Sequence, residues 1–204
     1  MYNEKVIAEK LKGNQICIVP MDKKYIEELC KIGQEKSIWE HLPETLTTRY
    51  SMENFINEAL IQKERCIEYP FVILSLKTDE VIGTTRFMNI SKDNKSLEIG
   101  WTWLTSKVWG TGVNIECKYL LLKYCFEYMN LCRVQFKTDE RNIRSQKAIE
   151  KIGGIREGIL RNHMIRKDGS FRNSVFYSII DSEWPYVRRK LELLLSNKMN
   201  IDTR

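Results

Sequence analysis

Two closely spaced glycines form the motif in this sequence that is best suited to bind an anion. Residues 107–116 read KVWGTGVNIE, with a strand-like run before them and a helix-like run after them. The start of a helix offers backbone N–H groups and the positive end of the helix dipole to an anion. Glycine lets the main chain approach a ligand closely. The pair Gly110 and Gly112 therefore predicts a phosphate site, with an ordinary turn as the alternative.

Two other glycine-rich phosphate motifs fit this segment poorly. A P-loop requires a lysine directly after its last glycine, whereas Val113 and Asn114 follow Gly112. A dinucleotide fingerprint requires a third glycine where Ile115 stands, and it normally opens the fold, whereas this motif lies at mid-chain. Neither nucleotide-binding class is favoured.

A carboxylate just before the glycines is a candidate general base. In the strand-like run LEIGWTW, alternation predicts Leu97, Ile99 and Trp101 on one face and Glu98 on the other. Beside Gly100, Glu98 has space for a ligand and could take a proton through one water. The alternative is a solvated acid on a strand.

The segment NIRS at residues 142–145 combines an amide and a hydroxyl at the start of a predicted helix. Asn142 is typical of a helix N-cap. Ser145 adds a hydroxyl, which can donate or accept a hydrogen bond, although serine is a poor acid. The alternative is that Ser145 is an ordinary first-turn residue without a chemical role.

The elements that must position these residues follow the order βααβββαβαββα. Strands are predicted at 15–20, in a hairpin over 69–90, at 96–104, at 132–139 and in a hairpin over 156–181. Helices are predicted near 21–33 and 51–65, for about four turns after the glycines, at 142–152 and at 183–197. The strand–helix–strand unit around the glycines predicts one parallel junction, where ligands of open sheets collect.

Three motifs in this order resemble the GNAT (Gcn5-related N-acetyltransferase) superfamily. They are KVWGTG, the helix NIRSQKAIEKIG and the final hairpin GILRNHMIRKDGSFRNSVFYSIID. Their sequences are most similar to the RimJ/RimL-like ribosomal-protein N-terminal acetyltransferase branch. The resemblance runs from QICIVP to DSEW. It implies a single α/β (α+β) domain over 1–204, with a core at about 15–184. Its mixed, mostly antiparallel sheet would have about seven strands, one splayed parallel junction and helices on both faces.

The resemblance also implies a site for acetyl-CoA. Its pyrophosphate would lie on the backbone of the glycine loop, and its pantetheine arm would pair with the end of the preceding strand. The implied cofactor-binding residues are Trp103, Leu104, Trp109, Gly110, Thr111, Gly112, Val113 and Asn142. Lys107 stands where the family usually has Gln or Arg.

The implied reaction is acetyl transfer to a primary amine by direct attack within a ternary complex, without a metal. Glu98 would relay a proton from the amine. Many family members carry a tyrosine where this chain has Ile149. The RimJ/RimL-like branch instead places a serine where Ser145 stands, and the resemblance implies that Ser145 hydrogen-bonds the departing sulfur.

The acceptor implied by the branch is a peptide or protein N-terminus, with small-molecule amines as alternatives. Trp39, Glu40 and Tyr50 lie in or just after a loop that shapes the acceptor pocket in this family. A non-catalytic CoA-binding or protein-binding module with the same fold is the competing hypothesis. An oxidoreductase is a weaker one.

Composition disfavours several other classes. The net charge of +6 comes from basic residues scattered along the chain, which does not indicate a nucleic-acid partner. Six cysteines without a C-x-x-C pair and two distant histidines do not indicate a metal site. A charged N-terminus without an apolar signal core and short apolar runs favour a cytoplasmic protein without a membrane partner. The sequence leaves both a monomer and a homodimer open.

Overall fold

The computed structural model describes residues 10–199. Residues 1–9, which hold most of the charged N-terminal segment, and residues 200–204 lie outside the described part, as do the ends of the predicted 1–204 domain. The strands are β1 Leu11–Lys12, β2 Ile16–Pro20, β3 Tyr69–Ser75, β4 Val81–Ser91, β5 Ser96–Leu104, β6 Arg133–Asp139, β7 Ile155–Ile165 and β8 Phe171–Ile180. The α-helices are α1 Ile26–Gly33, α2 Arg49–Glu64, α3 Val113–Lys123, α4 Ile143–Lys151 and α5 Trp184–Met199. A π-helical turn, Tyr124–Tyr128, extends α3, and 3-10 turns occupy Lys23–Tyr25, Lys36–Trp39 and Ser106–Val108.

The strands form one mixed sheet in the order β1-β2-β3-β4-β5-β6-β8-β7. Within the described residues, β5 and β6 pair in parallel, and the other neighbouring strands pair antiparallel. This topology confirms the predicted element order and the single parallel junction. The two-residue strand β1 is an addition to the seven strands that the sequence pattern predicts, because it is too short to show alternation.

Helices cover the sheet on both faces, as predicted. On one face, α3, α4 and α5 pack over a buried cluster that includes Phe87, Leu121 and Phe136. On the other face, α1 and α2 pack over a second cluster that includes Met52 and Trp103. No helix within residues 10–199 has the length and apolarity required to cross a bilayer.

The start and the end of α4 follow from its local sequence. Asn142 is the N-cap, and its side-chain Oδ1 accepts a hydrogen bond from the Ser145 amide at 2.9 Å. Gly153, just past the end of the helix, has a φ of 98°, a conformation that favours glycine. Both observations confirm the predicted cap and stop.

A bulge in β5 overturns one prediction about side-chain direction. Thr84 pairs with Trp103 and Arg86 pairs with Gly100, so β5 holds one extra residue in this interval. Trp101 has a φ of 48° there, and its ring packs against Phe55 of α2, with ring centroids 5.3 Å apart. The prediction that Trp101 shares a face with Leu97 and Ile99 is therefore wrong, because the bulge reverses the alternation after Gly100.

A buried carboxylate ties α3 to the edge of the sheet. Glu116 is 3% exposed, and its carboxylate accepts hydrogen bonds from the backbone amides of Asn14 and Gln15 in the β1–β2 turn. A side chain at Gly13 would clash with this carboxylate. The turn and the helix therefore depend on one another.

Replacing Glu116 with alanine should lower the free energy of unfolding by about 2 kcal/mol, because it leaves buried N–H donors without an acceptor. Urea denaturation would measure this loss. Glu116→Gln retains one oxygen acceptor and should lose less. Equal stability of the alanine variant and the parent protein would show that water satisfies these amides.

Candidate active site

The parallel pair β5–β6 separates partway along its length. Its ladder joins only Ser96–Glu98 to Arg133–Gln135, although β5 continues to Leu104 and β6 to Asp139. Beyond the ladder the two strands enclose a cleft of about 400 Å³. The β5 edge that faces the cleft has no strand partner in the described chain beyond Glu98, so a ligand can approach this edge.

Of the thirteen predicted site residues, the cleft brings together Glu98, Trp103, Leu104, Trp109, Gly110, Asn142 and Ser145. These residues come from the end of β5, the glycine loop and the start of α4. The rest of the glycine loop, Thr111 and Gly112, leads directly into Val113, the first residue of α3.

The glycine loop is shaped for a close approach. Gly110 has a φ of 75°, and a methyl group added to it would meet no atom within 4 Å. The predicted amide donors differ in their availability. The Trp109 amide donates to the carbonyl oxygen of Ser106 at 2.9 Å, and the Val113 amide donates to the Thr111 hydroxyl at 3.2 Å.

A cation lies over the loop. The guanidinium of Arg144, from α4, stacks on the Trp109 ring, 3.8 Å from the ring centroid. The Trp109 indole N–H donates to the Leu104 carbonyl oxygen at 2.9 Å, which fixes the ring against the end of β5. Arg144 therefore brings positive charge to the same end of the cleft as the start of α3.

Glu98 lies where the two strands part, with its side chain only 3% exposed. Its Oε2 accepts hydrogen bonds from the side-chain amides of Asn89 and Gln135, each at 3.0 Å. Lys137 Nζ is 3.5 Å from Oε1. These contacts hold the carboxylate at the cleft and exclude the alternative of a solvated strand acid.

A second cation lines the cleft on the Glu98 face of the sheet. Arg172, from β8, is 7% exposed, and its Nε has no hydrogen-bond partner within the described residues. The carboxylate of Asp139 is mainly engaged by Arg166, at 2.7 Å and 2.8 Å, and lies 3.9 Å from the Arg172 Nε. These hydrogen bonds hold the pKa of Asp139 below its ordinary value even though burial acts to raise it.

His163 lies on β7, beside the ring of Phe176 on β8. Burial, together with the nearby positive charges of Lys137 and Arg172, lowers its pKa from 6.5. Its Nδ1 lies 3.0 Å from the Ser174 hydroxyl. Neither His163 nor Arg172 is predicted as a site residue from the sequence, because the alternation of their strands shows no pattern of chemically active side chains.

The start of α4 contributes a hydroxyl and an apolar side chain. Ser145 is half-buried and lines the cleft one turn before Ile149, which also lines it. The cleft wall is therefore apolar at Ile149.

The predicted acceptor residues lie away from the cleft. Trp39 is 2% exposed and packs on Trp103 in the core, with ring centroids 5.0 Å apart. The side chain of Glu40 is 70% exposed, and Tyr50 is 75% exposed on α2. Neighbouring residues of the same loop line the cleft instead, namely Ile38, His41, Leu42 and Pro43.

The β7–β8 turn holds this loop against the cleft. The Lys167 ammonium donates to the Trp39 carbonyl oxygen at 2.9 Å and to the Thr45 hydroxyl at 2.5 Å. The loop between the first two helices and the final hairpin therefore close one side of the cleft together.

Lys118 of α3 is a cleft residue that the sequence analysis missed. It is 6% exposed, and its Nζ donates to the Thr102 hydroxyl at 2.6 Å. It lies three residues after Ile115 and four before Leu122, on the helix face that the pattern predicts to be buried. A lysine at a position that the helical pattern predicts to be buried was the signal in the sequence that could have identified it.

Metal ions in proteins are held by sets of His, Cys, Asp and Glu side chains. Within residues 10–199, His, Cys, Asp and Glu side chains form no cluster of three or more that could hold a metal ion. The expectation of metal-free chemistry stays a prediction.

Comparisons with known proteins bear on this site. A family model described as an acetyltransferase (GNAT) domain matches residues 15–155. The uncharacterized N-acetyltransferase p20 of Bacillus licheniformis is 27% identical, over 86% of this chain and 98% of its own. The ribosomal-protein-serine acetyltransferase of Escherichia coli (strain K12) is 29% identical, over 56% of this chain and 64% of its own. A solved structure from T. thermophilus is 32% identical, covers 93% of this chain and 98% of its own, and has a TM-score of 0.84.

Proposed function

The chain belongs to the GNAT acetyltransferase family, and from this premise we propose that it transfers the acetyl group of acetyl-CoA to a primary amine within a ternary complex. The observation that carries the proposal is the splayed junction of β5 and β6. Its cleft joins a glycine loop at a helix start to a buried carboxylate, which matches a phosphate anchor at one end and a proton acceptor at the other.

The residues present fit coenzyme A. The open space beside Gly110 admits a diphosphate against the main chain, and the first turn of α3 supplies amides that a helix leaves without intrahelical partners. Because the amides of Trp109 and Val113 have partners within the loop, we assign the stronger phosphate contacts to the first-turn amides that follow Val113. Arg144 adds a guanidinium, which binds phosphate in a bidentate manner.

The unpartnered edge of β5 fits the pantetheine arm. This arm carries two amides, and a ligand with alternating N–H and C=O groups can pair with a free strand edge as an added strand does. Trp103 and Leu104 stand at the end of that edge, next to the glycine loop. The acyl group would then lie deeper in the cleft, near Gly100 and Thr102.

Glu98 would take the proton of the attacking amine. An α-amine has a reference pKa of about 8, so a nearby carboxylate helps to deliver the neutral nucleophile at pH 7. The β5 main chain would donate to the carbonyl oxygen as negative charge develops on it. Ser145 would orient the departing sulfur, and Asn142 would hold the start of α4 in place.

The acceptor would enter on the Glu98 face of the sheet. There the wall consists of Ile38, His41 and Leu42, with Arg172 opposite. This arrangement moves the proposed acceptor contacts from Trp39, Glu40 and Tyr50 to their neighbours. A peptide or protein N-terminus is the favoured acceptor. This choice is supported by the resemblance of the β7–β8 hairpin sequence to the RimJ/RimL-like branch and by the name of the Escherichia coli relative.

A thiol-release assay with acetyl-CoA tests the proposed reaction. The panel would contain short peptides with free N-termini, the same peptides with blocked N-termini, polyamines and amino sugars. Turnover with free N-termini alone supports the favoured acceptor, and turnover with small amines alone reassigns it. CoA binding without turnover of any amine would favour a non-catalytic module.

The glycine loop offers a matched test of the CoA site. Gly110→Ala and Gly169→Ala each place a methyl group at a similar positive φ, 75° and 79°, where no atom lies within 4 Å. Both should lose a similar stability of about 1 kcal/mol. Only Gly110→Ala should weaken CoA binding, by about tenfold or 1.4 kcal/mol, because its methyl group occupies the diphosphate space. Calorimetric titration with CoA measures the difference, and equal affinities would place the diphosphate elsewhere.

A further inference from the structure

Lys118 lies under the part of β5 that lacks a strand partner. It is five residues into α3 from Val113, about 7.5 Å along the helix axis. Its Nζ donates to the hydroxyl of Thr102, and it lies 5.7 Å from the centroid of the Phe136 ring on β6. The ammonium therefore stands between the two separated strands, on the α3 side of the cleft.

The charge of Lys118 has little compensation. None of the ion pairs formed by the described residues, with N–O distances up to 4.0 Å, includes Lys118. The bond to Thr102 uses one of its three N–H donors. The Thr102 hydroxyl, which accepts this bond, lies 2.8 Å from the Thr85 hydroxyl and is fixed by it. A buried cation with open donors fits a ligand atom on which negative charge develops.

We propose that Lys118 is the proton donor to the thiolate that leaves when the amine attacks the thioester. This inference rests on the proposed function and deepens it. The chain has Ile149 on the α4 wall of the cleft, and Ser145 is too weak an acid to supply a proton. Lys118 faces the same cleft from α3 and supplies the acid that the α4 wall lacks.

The step balances as an acyl transfer. A bond forms between the amine nitrogen and the carbonyl carbon, and the carbon–sulfur bond breaks with its electron pair on sulfur. Lys118 gives one N–H proton to that sulfur and becomes a neutral amine. Glu98 takes the proton that the attacking nitrogen loses, and solvent restores both groups once the products have left.

The proton affinity of Lys118 suits this task. Burial lowers its pKa from 10.5 to about 8, near the reference value of about 8.5 for a thiol. Burial raises the pKa of the adjacent Cys117 thiol to about 11, so that this neighbour adds no charge. The other charged groups that line the cleft are Glu98, Lys137 and Arg172 on the opposite face of the sheet and Arg144 beside the loop.

The test compares Lys118→Met with Lys123→Met, a control on the same helix outside the cleft. At pH 7.5, Lys118→Met should lower kcat by about 100-fold, the scale of general acid catalysis, and change the Kd for CoA by less than about threefold. The decline of kcat above about pH 8, expected of the parent protein, should be absent from the variant. Lys123→Met should match the parent protein in each measurement.

Thr102 provides a second variant that leaves the lysine in place. Thr102→Val removes the anchor of the ammonium and should lower kcat by about tenfold, whereas Thr102→Ser, which keeps the hydroxyl, should restore it. A Lys118→Met variant that retains kcat within about threefold, or that keeps the decline at high pH, overturns the inference. So does a variant that loses only the turnover of carboxyacyl donors such as succinyl-CoA, which would make Lys118 an acyl-recognition residue. A parent protein without any turnover would remove the proposed function itself.

Discussion

Replacing Glu98 with glutamine should lower kcat by about 100-fold or more and make the remaining activity rise more steeply toward high pH. General base catalysis contributes about 10²–10⁴-fold, and without it the reaction depends on the fraction of acceptor that is already neutral. Steady-state rates between pH 6 and pH 9.5, with acetyl-CoA saturating, measure both effects.

The geometry around Glu98 makes this substitution mild for the fold. Both side-chain amides that donate to the carboxylate reach the same oxygen, Oε2, which the carbonyl oxygen of glutamine can replace. The variant loses the ion pair with Lys137 and keeps the size of the side chain. A fall in kcat without loss of CoA affinity would therefore show that Glu98 acts in the chemical step.

A carboxylate outside the cleft supplies the control. Glu157 of β7 forms an ion pair with Arg133, and Glu157→Gln removes a similar charge at a distance from the cleft residues. It should leave kcat and its pH profile unchanged. If Glu98→Gln shows the same pH profile as the parent protein, Glu98 has no part in proton transfer.

The second large effect concerns stability. Replacing Lys118 with methionine should raise the free energy of unfolding at pH 7 by up to about 3 kcal/mol. Its pKa of about 8 in the folded protein, against 10.5 in the unfolded chain, means that the folded state binds the proton less tightly. Each pKa unit corresponds to about 1.36 kcal/mol, so the charged lysine lowers stability by roughly this amount.

The pH dependence has a definite sign. Below pH 8 both states are protonated and the full cost is present. Between about pH 8 and pH 10.5 the unfolded chain binds more protons than the folded protein, so this lysine makes stability rise with pH. The methionine variant should lack that rise. Urea denaturation at pH 7, 8 and 9.5 measures both expectations.

Replacing Lys118 with methionine should therefore raise the stability of the protein and lower its turnover. A lysine with a structural role would destabilise the protein when removed, whereas one retained for chemistry costs stability and supports activity. Lys123→Met, on the same helix, should change stability by less than about 0.5 kcal/mol. A Lys118→Met protein that is less stable than its parent at pH 7 would assign the residue to the core.

The sequence by itself determined the order of the elements, the glycine loop and the cap of α4. These features depend on interactions within a few residues, such as the bond from the Ser145 amide to Asn142, and on periodicity along one element. The family resemblance added the splayed junction and the covered faces of the sheet. It predicted both because GNAT chains share them, and no local pattern in this chain shows them.

Only the tertiary structure decided which side chains face the cleft. The bulge in β5 turns Trp101 toward α2, and it arises from pairing with a strand that the local pattern does not specify. Trp39 is in the core while His41 lines the cleft, because the β7–β8 turn holds their loop by contacts across more than a hundred residues of sequence. The tertiary structure likewise identified Lys118 as a buried cation. Its burial depends on the packing of α3 against β5 and β6, and its charge is little compensated because these elements offer its ammonium one hydroxyl, that of Thr102.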